Sequence, residues 1–344
     1  MKIQKTIFGT APDGKQVDKY SITNSNGMTL ELITYGATIQ SILIPSGEGV
    51  RDVAVGFDSL DGHINHSDYE GNTVGRYANR LHNAQFELGG KKYSLSANEK
   101  GKTCLHGGAE FSKAVWDACA DTDNSVVMSY TSAAGACGFP GEMKTKVRFT
   151  LSDKNEIIIS YTAICSADTP INLTNHTYFN LTGSTKNDVL SHILRIDADN
   201  FTPTNADSIP TGELRPVGGT AFDFTNPKPI GRDIGADDDQ LKMCMGYDHN
   251  FCLNDTQGAV ISVKEPESGI EMNVYTDMPG VQLYTGNFLD GTITGKGSLP
   301  LIKHAGFCLE TQFYPDTPNQ PQFPQCTVRA GEVFRSTTKY EFKF

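Results

Sequence analysis

"KVRFTLSDKNEIIISYTAIC", residues 146–165, reads as two long strands joined by the polar turn Ser152 to Asn155. Its β-branched and aromatic residues suit a pleated, half-buried surface. The same period-two pattern recurs on either side. "AQFELGGKKYSL" (84–95) alternates Phe86 and Leu88, turns at Gly89-Gly90 and resumes with Tyr93 and Leu95, a hairpin signal. "SNGMTLELITYGATIQSILIP" (25–45) begins with an Asn26-Gly27 turn, and "GVQLYTGNFL" (280–289) and "TTKYEFKF" (337–344) continue the strand pattern. "FSKAVWDACA" (111–120) is the nearest approach to a helix, and it is short. The expected fold is all-β, a large β-sandwich of mainly antiparallel sheets. Length alone suggests two domains, but Gly and Pro punctuate the chain throughout without collecting into a linker. A single domain over residues 1–344 is expected.

The composition bounds the function. The chain has 344 residues, 38% hydrophobic and 20% charged, with material for a sizeable core. Its formal net charge of −11 argues against nucleic-acid and anionic-membrane partners, which require clustered cations. The segment "MKIQKTIFGTAPDGK" carries no apolar run of the secretory type, and no stretch has the length and apolarity of a membrane span. Eight cysteines are scattered without a C-x-x-C pair. They read as reduced, mostly buried thiols of a cytoplasmic protein.

Five stretches concentrate groups suited to acid–base work or to holding a polar ligand: "GRYANR" (75–80), "CLHGG" (104–108), "NHTYFN" (175–180), "YDHNF" (247–251) and "GFCLETQ" (306–312). In the last, Glu310 lies between Leu309 and Thr311 in a strand-like run. Burial there would raise its pKa and make it a stronger base; a solvent-facing Glu is the commoner outcome for the motif alone. "NLTNHTYFNL" (172–181) reads as one buried strand. Asn175, Thr177, Phe179 and Leu181 fall on one face, with His176, Tyr178 and Asn180 on the other. His176 and His106 titrate near neutrality, although a satisfied core histidine is the commoner role for either alone. The glycines after His106 would let backbone and ligand approach closely. Asn79 and Arg80 offer a fork of donors, Asp248 an acceptor of hydroxyls, and Gln282 either. Residues 223–251 read as a long loop. "HINHSDYE" (63–70) sets His63, His66, Asp68 and Glu70 at loose metal-ligand spacing, a pattern common in polar loops. No nucleotide-binding or serine-nucleophile motif occurs.

Together these segments resemble the aldose 1-epimerase family, the galactose mutarotases. The similar stretches, in order, are "YGATIQSILIP", "VAVGFDSLDGH", "GNTVGRYANRL", "LHGG", "NHTYFNL", "IPTGELRPVGGTAFDF", "YDHNF", "PGVQLYTGNFLDG" and "GFCLETQFYPDTPNQPQFP". They run from about residue 30 to the end. The resemblance implies a cofactor-free, metal-free enzyme with a β-sandwich fold that interconverts the α and β anomers of aldohexoses such as galactose and glucose. It places the general base on Glu310, the acid on His176 and an assisting donor near the ring oxygen on His106. Asn79, Arg80, Asp248 and Gln282 match positions that bind sugar hydroxyls. The expected partner is a small aldohexose, bound by a monomer or a homodimer.

Three other readings stay open at this level. A sugar-phosphate mutarotase needs cations beyond Arg80, and a sugar-binding module needs the pocket but no chemistry. A glycosidase would pair Glu310 with Asp248 as its two carboxyl groups.

Overall fold

The computed structural model describes residues 2–47, 49–65 and 68–344. The 146–165 stretch forms the strands Met143–Leu151 and Glu156–Cys165, paired antiparallel from Met143 opposite Cys165 to Leu151 opposite Ile157. Val147, Phe149, Leu151, Ile157, Ile159 and Tyr161 point into the core, while Lys144, Lys146 and Arg148 alternate outward. The Ser152 hydroxyl accepts the Lys154 and Glu156 amides, and Asn155 takes the left-handed conformation that closes the turn.

Among the described residues the three largest sheets have nine, seven and five strands. The nine-stranded sheet runs in the order Asp117–Thr122, Ser125–Ser132, Met143–Leu151, Glu156–Cys165, Val333–Lys343, Glu271–Thr276, Ile261–Lys264, Ile193–Ile196, Lys228–Pro229. The seven-stranded sheet runs Arg215–Pro216, Asn200–Thr202, Asp248–Cys252, Gly280–Tyr284, Phe307–Gln312, Tyr178–Phe179, Ala54–Val55. The five-stranded sheet is a meander from Lys2–Thr10 to Gly49–Asp52. All ladders between named strands are antiparallel, and the apolar faces of the three sheets share one buried cluster. Tyr340 donates to the Leu309 carbonyl, the Thr311 and Thr338 hydroxyls bond, and the Tyr340 and Phe179 rings lie 5.2 Å apart. These contacts tie the nine-stranded sheet to the centre of the seven-stranded one. The all-β expectation is borne out, and no helix among the described residues is long and apolar enough to cross a membrane.

Three local expectations are corrected. "NLTNHTYFNL" does not form one strand: Thr174–Asn175 pairs with Thr73–Val74, and Tyr178–Phe179 pairs with Phe307–Gln312 and Ala54–Val55. Between them the Asn175 side chain accepts from both the amide (3.1 Å) and the hydroxyl (2.6 Å) of Thr177, a local turn that outcompetes the ladder at His176. Both faces of the segment are buried, so its polar face is not a solvent face. The helix read in "FSKAVWDACA" is the single turn Glu110–Lys113, because the chain leaves it to pair with the 34–36 backbone and bury Trp116. The 223–251 loop contains the helix Asp239–Cys244, capped by Asp238, whose side chain accepts the Gln240 and Leu241 amides.

Candidate active site

The strand Phe307–Gln312 sets the site. Its alternation sends Cys308 and Glu310 to the same side, and its ladder puts Glu310 opposite Gln282. The next strand over carries Asp248 at its start. The remaining contributors, Asn79, Arg80, His106 and His176, lie in or beside very short strands and turns. Arg80–Leu81 and Cys104–Leu105 make a two-residue ladder that brings Asn79 against His106. There the His106 amide donates to the Asn79 carbonyl (3.0 Å), and the Asn79 amide donates to His106 Nδ1 (3.1 Å). Both residues have positive φ. Gly107 follows at φ +63, and a Cβ there would stand 2.1 Å from the Gly75 carbonyl oxygen. The glycine admits backbone to backbone, where the sequence suggested the approach of a ligand.

These elements surround a cavity of about 390 Å³ lined by Asn79, Arg80, His106, His176, Asp248 and Glu310, together with Tyr69, Tyr178, Tyr284 and Glu99. Six of the seven expected site residues therefore meet at one place. Gln282 does not reach the cavity wall; it stands behind Asp248 and donates to its Oδ1 at 2.7 Å. Arg80 is fixed by a two-pronged contact with Glu99, Nε to Oε2 at 2.9 Å and Nη2 to Oε1 at 2.8 Å, and lies 3.9 Å from Asp248 Oδ2. Against burial, Asp248 and Glu99 hold its pKa above the ordinary value.

Glu310, His176 and His106 are respectively 2, 5 and 5% exposed, so desolvation dominates their titration. Burial, reinforced by Asp248 and partly offset by Arg80, pushes the Glu310 carboxyl well above the usual carboxylate range. Its Oε1 is 3.6 Å from His176 Nε2, and its buried Oε2 has no hydrogen-bond partner among the described residues. Burial lowers His176 to about 4, against small opposing contributions from its own backbone and Asp248. Burial, His176 and Arg80 together hold His106 well below 6.5. Both imidazoles are thus neutral in the empty site at neutral pH, where an imidazolium would suit the acid role read from sequence. Because Nδ1 of His106 accepts a backbone amide, its neutral ring carries the proton on Nε2. The His106 and His176 rings meet edge to face at 5.2 Å, and Tyr69 packs on His106 at 4.5 Å.

One ring nitrogen from each histidine and one Glu310 oxygen lie within 4.8 Å of one another, the only metal-ligand trio among the described residues. The described residues of "HINHSDYE" do not form such a group: His63 is buried in the helix Leu60–Asn65, and His66 lies outside the described residues.

The family pattern described as aldose 1-epimerase matches residues 18–341. The chain belongs to the aldose 1-epimerase family. Galactose mutarotase from Rattus norvegicus is 41% identical over 347 residues, covering 99% of each chain. Aldose 1-epimerase from Escherichia coli is 39% identical over 339 residues, covering 96% of this chain and 97% of its own. Among solved structures, an aldose epimerase homologue from C. elegans superposes with a TM-score of 0.87 at 30% identity, covering 94% of this chain and 98% of that one. Galactose 1-epimerase from Lactobacillus acidophilus gives a TM-score of 0.88 at 27% identity, covering 100% and 99%.

This aldose 1-epimerase family member has site features that sequence reasoning missed. Glu99 sits in "ANEKGK", which reads as a polar turn, and Tyr69 sits in a segment weighed only for metal. Lys100, Lys102 and Asp207 also line the cavity, so Arg80 is not its only cation. Lys102 is paired with Asp207 as Arg80 is with Glu99.

Proposed function

We propose that Glu310 and His176 form the proton-transfer pair of this protein, an aldose 1-epimerase and so an isomerase acting on sugars. Its substrate is a free, neutral aldohexose such as galactose or glucose. The observation that carries this reading is the 3.6 Å approach of His176 Nε2 to Glu310 Oε1, two buried side chains on the wall of one cavity. Glu310 takes the proton from the anomeric hydroxyl while His176 delivers one to the ring oxygen. The C1–O5 bond breaks, C1 becomes an aldehyde, rotation about C1–C2 turns it over, and the reverse transfers close the other anomer. His106, a neutral Nε2–H donor, assists at the ring oxygen. Asn79, Arg80 and Asp248 hold the hydroxyls, and Gln282 holds Asp248, which keeps the open-chain sugar oriented.

The cavity wall carries five carboxyl groups, Asp68, Glu99, Asp207, Asp248 and Glu310, against the cations of Arg80, Lys100 and Lys102. That balance supports a neutral sugar over a phosphate dianion. The shared core from Tyr20 to Phe342 supports one domain, and eight free cysteines support a reducing, cytoplasmic setting.

Freshly dissolved α-galactose and α-glucose are expected to lose their excess optical rotation faster with the protein than in buffer. Glucose 6-phosphate is expected to respond much less. Polarimetry that shows no acceleration for any aldose sinks the reading.

The pair works with one proton between its members, on Glu310 in the empty site and on His176 when it acts as the acid. Both arrangements have the same proton count, so pH does not shift one against the other. Activity should rise as pH climbs through about 4, where His176 loses its extra proton, and fall once Glu310 loses its own, well above ordinary carboxylate pH. A buffer-corrected kcat/KM profile without these two limbs contradicts a one-proton pair.

A further inference from the structure

Cys308 and Glu310 stand two residues apart on one strand, so their side chains leave the same face, and the His176 ring lies between them. Cys308 Sγ is 3.6 Å from Nδ1, and Glu310 Oε1 is 3.6 Å from Nε2. Cys308 also pairs across the ladder with Tyr178, whose ring lies 5.2 Å from that of His176. Cys308 is fully buried and is not among the residues that line the cavity. Burial first, then Glu310, Glu70, Asp248 and Asp68, hold its pKa well above the ordinary thiol value, and the sulfur stays uncharged. Asn180, which the sequence places on the same face as His176, is used elsewhere: its Nδ2 donates to the carbonyls of Ser184, Asn187 and Ala305.

We propose that Cys308 is a positioning residue for His176, its neutral thiol holding Nδ1 so that Nε2 faces Glu310 and the cavity. The inference rests on His176 acting as the acid. A carboxylate at this place would orient the ring equally well, but it would stabilise the imidazolium and retain the proton. A thiol is a weak donor and a weak acceptor. It fixes the ring plane and leaves the proton free to pass to the sugar. The titratable groups facing His176 are Glu310 and Cys308 on this strand and Tyr178, Tyr69, His106 and Asp248 from the surrounding segments.

The test compares Cys308→Ala and Cys308→Ser by galactose mutarotation and by ¹⁵N NMR of the histidine rings in sugar-free protein. Alanine is expected to lower kcat about 10- to 100-fold with KM within about twofold, as loss of an orienting partner does. It should also move the His176 nitrogen resonances toward a mixture of tautomers. Serine, which retains a hydrogen-bonding group, is expected to restore most of kcat and, as the better acceptor, to raise the pKa of His176 from about 4. Wild-type kcat and unmoved His176 resonances in the alanine variant overturn the proposal. So does a serine variant in which the His176 pKa does not change, a measurement that stands even if the alanine variant fails to fold. The NMR measurement needs no turnover. A protein without mutarotase activity would therefore remove the acid role while leaving the thiol–imidazole contact separately tested.

Discussion

Glu310→Gln is expected to lower kcat about 1000-fold, within the range that a positioned acid–base group supplies, with KM changed by no more than about threefold. The amide has nearly the same shape and keeps the strand and the His176 contact, but it has no basic oxygen to take the anomeric proton. Polarimetry on galactose reads the loss, and retention of more than about a tenth of the activity would move the base to another residue. The same variant should be the more stable protein. Glu310 has a folded pKa raised above its unfolded value, so its contribution to stability is full below the unfolded value and is lost as pH rises through the folded one. Gln carries no such pH dependence. The melting temperature of the variant should match the wild type near pH 4, pull ahead as pH rises above the unfolded carboxyl value, and exceed it by roughly 2 °C or more at the top of that window. A buried carboxyl group destabilised by burial and by Asp248 is a local instability of the fold.

Gly107→Ala is expected to cause a large loss of stability. A methyl group there would stand 2.1 Å from the Gly75 carbonyl oxygen and 2.5 Å from the Arg76 amide nitrogen, both backbone atoms that cannot swing aside. The residue would also carry the strain of φ +63. Overpacking and strain together cost about 3 kcal/mol or more, a fall in melting temperature of roughly 5 °C or more. Activity should fall further than stability, because the displaced backbone carries His106 away from its paired bonds with Asn79. Gly89→Ala is the control: φ is +59 there too, but nothing lies within 4 Å. It is expected to lose only about 1 kcal/mol and no activity. Equal melting temperatures for the two variants would show that the contact with Gly75 is unimportant.

The strand that bears Glu310 was readable because it obeys the simplest rule. Phe307, Leu309 and Thr311 alternate with Cys308, Glu310 and Gln312, and the structure follows that register. His176 was harder. Its sequence has strand composition, and only the Asn175–Thr177 side-chain bond, invisible to periodicity, breaks the ladder there. The Arg80–Glu99 pair was illegible for another reason: the two residues are 19 apart on irregular segments, where no period relates them. The helix Asp239–Cys244 could have been found from the acidic "DDD" before it, an N-terminal capping signal that the length of the loop obscured. The neutral state of His176 follows from burial, which the pattern of one segment does not report.

The strand Val333–Lys343 sits inside the nine-stranded sheet, between Glu156–Cys165 and Glu271–Thr276, although both neighbours precede it in the chain. Without this strand the nine-stranded sheet is two half-sheets, each with an open edge. Such edges are pairing hazards for a nascent chain, and contacts across so long a stretch of sequence form slowly. Thr338 and Tyr340 of this late strand also support the strand that bears Glu310. The strand that joins the two halves of the large sheet therefore also braces the strand of Glu310, so that one cavity wall and the continuity of the sheet depend on a single segment.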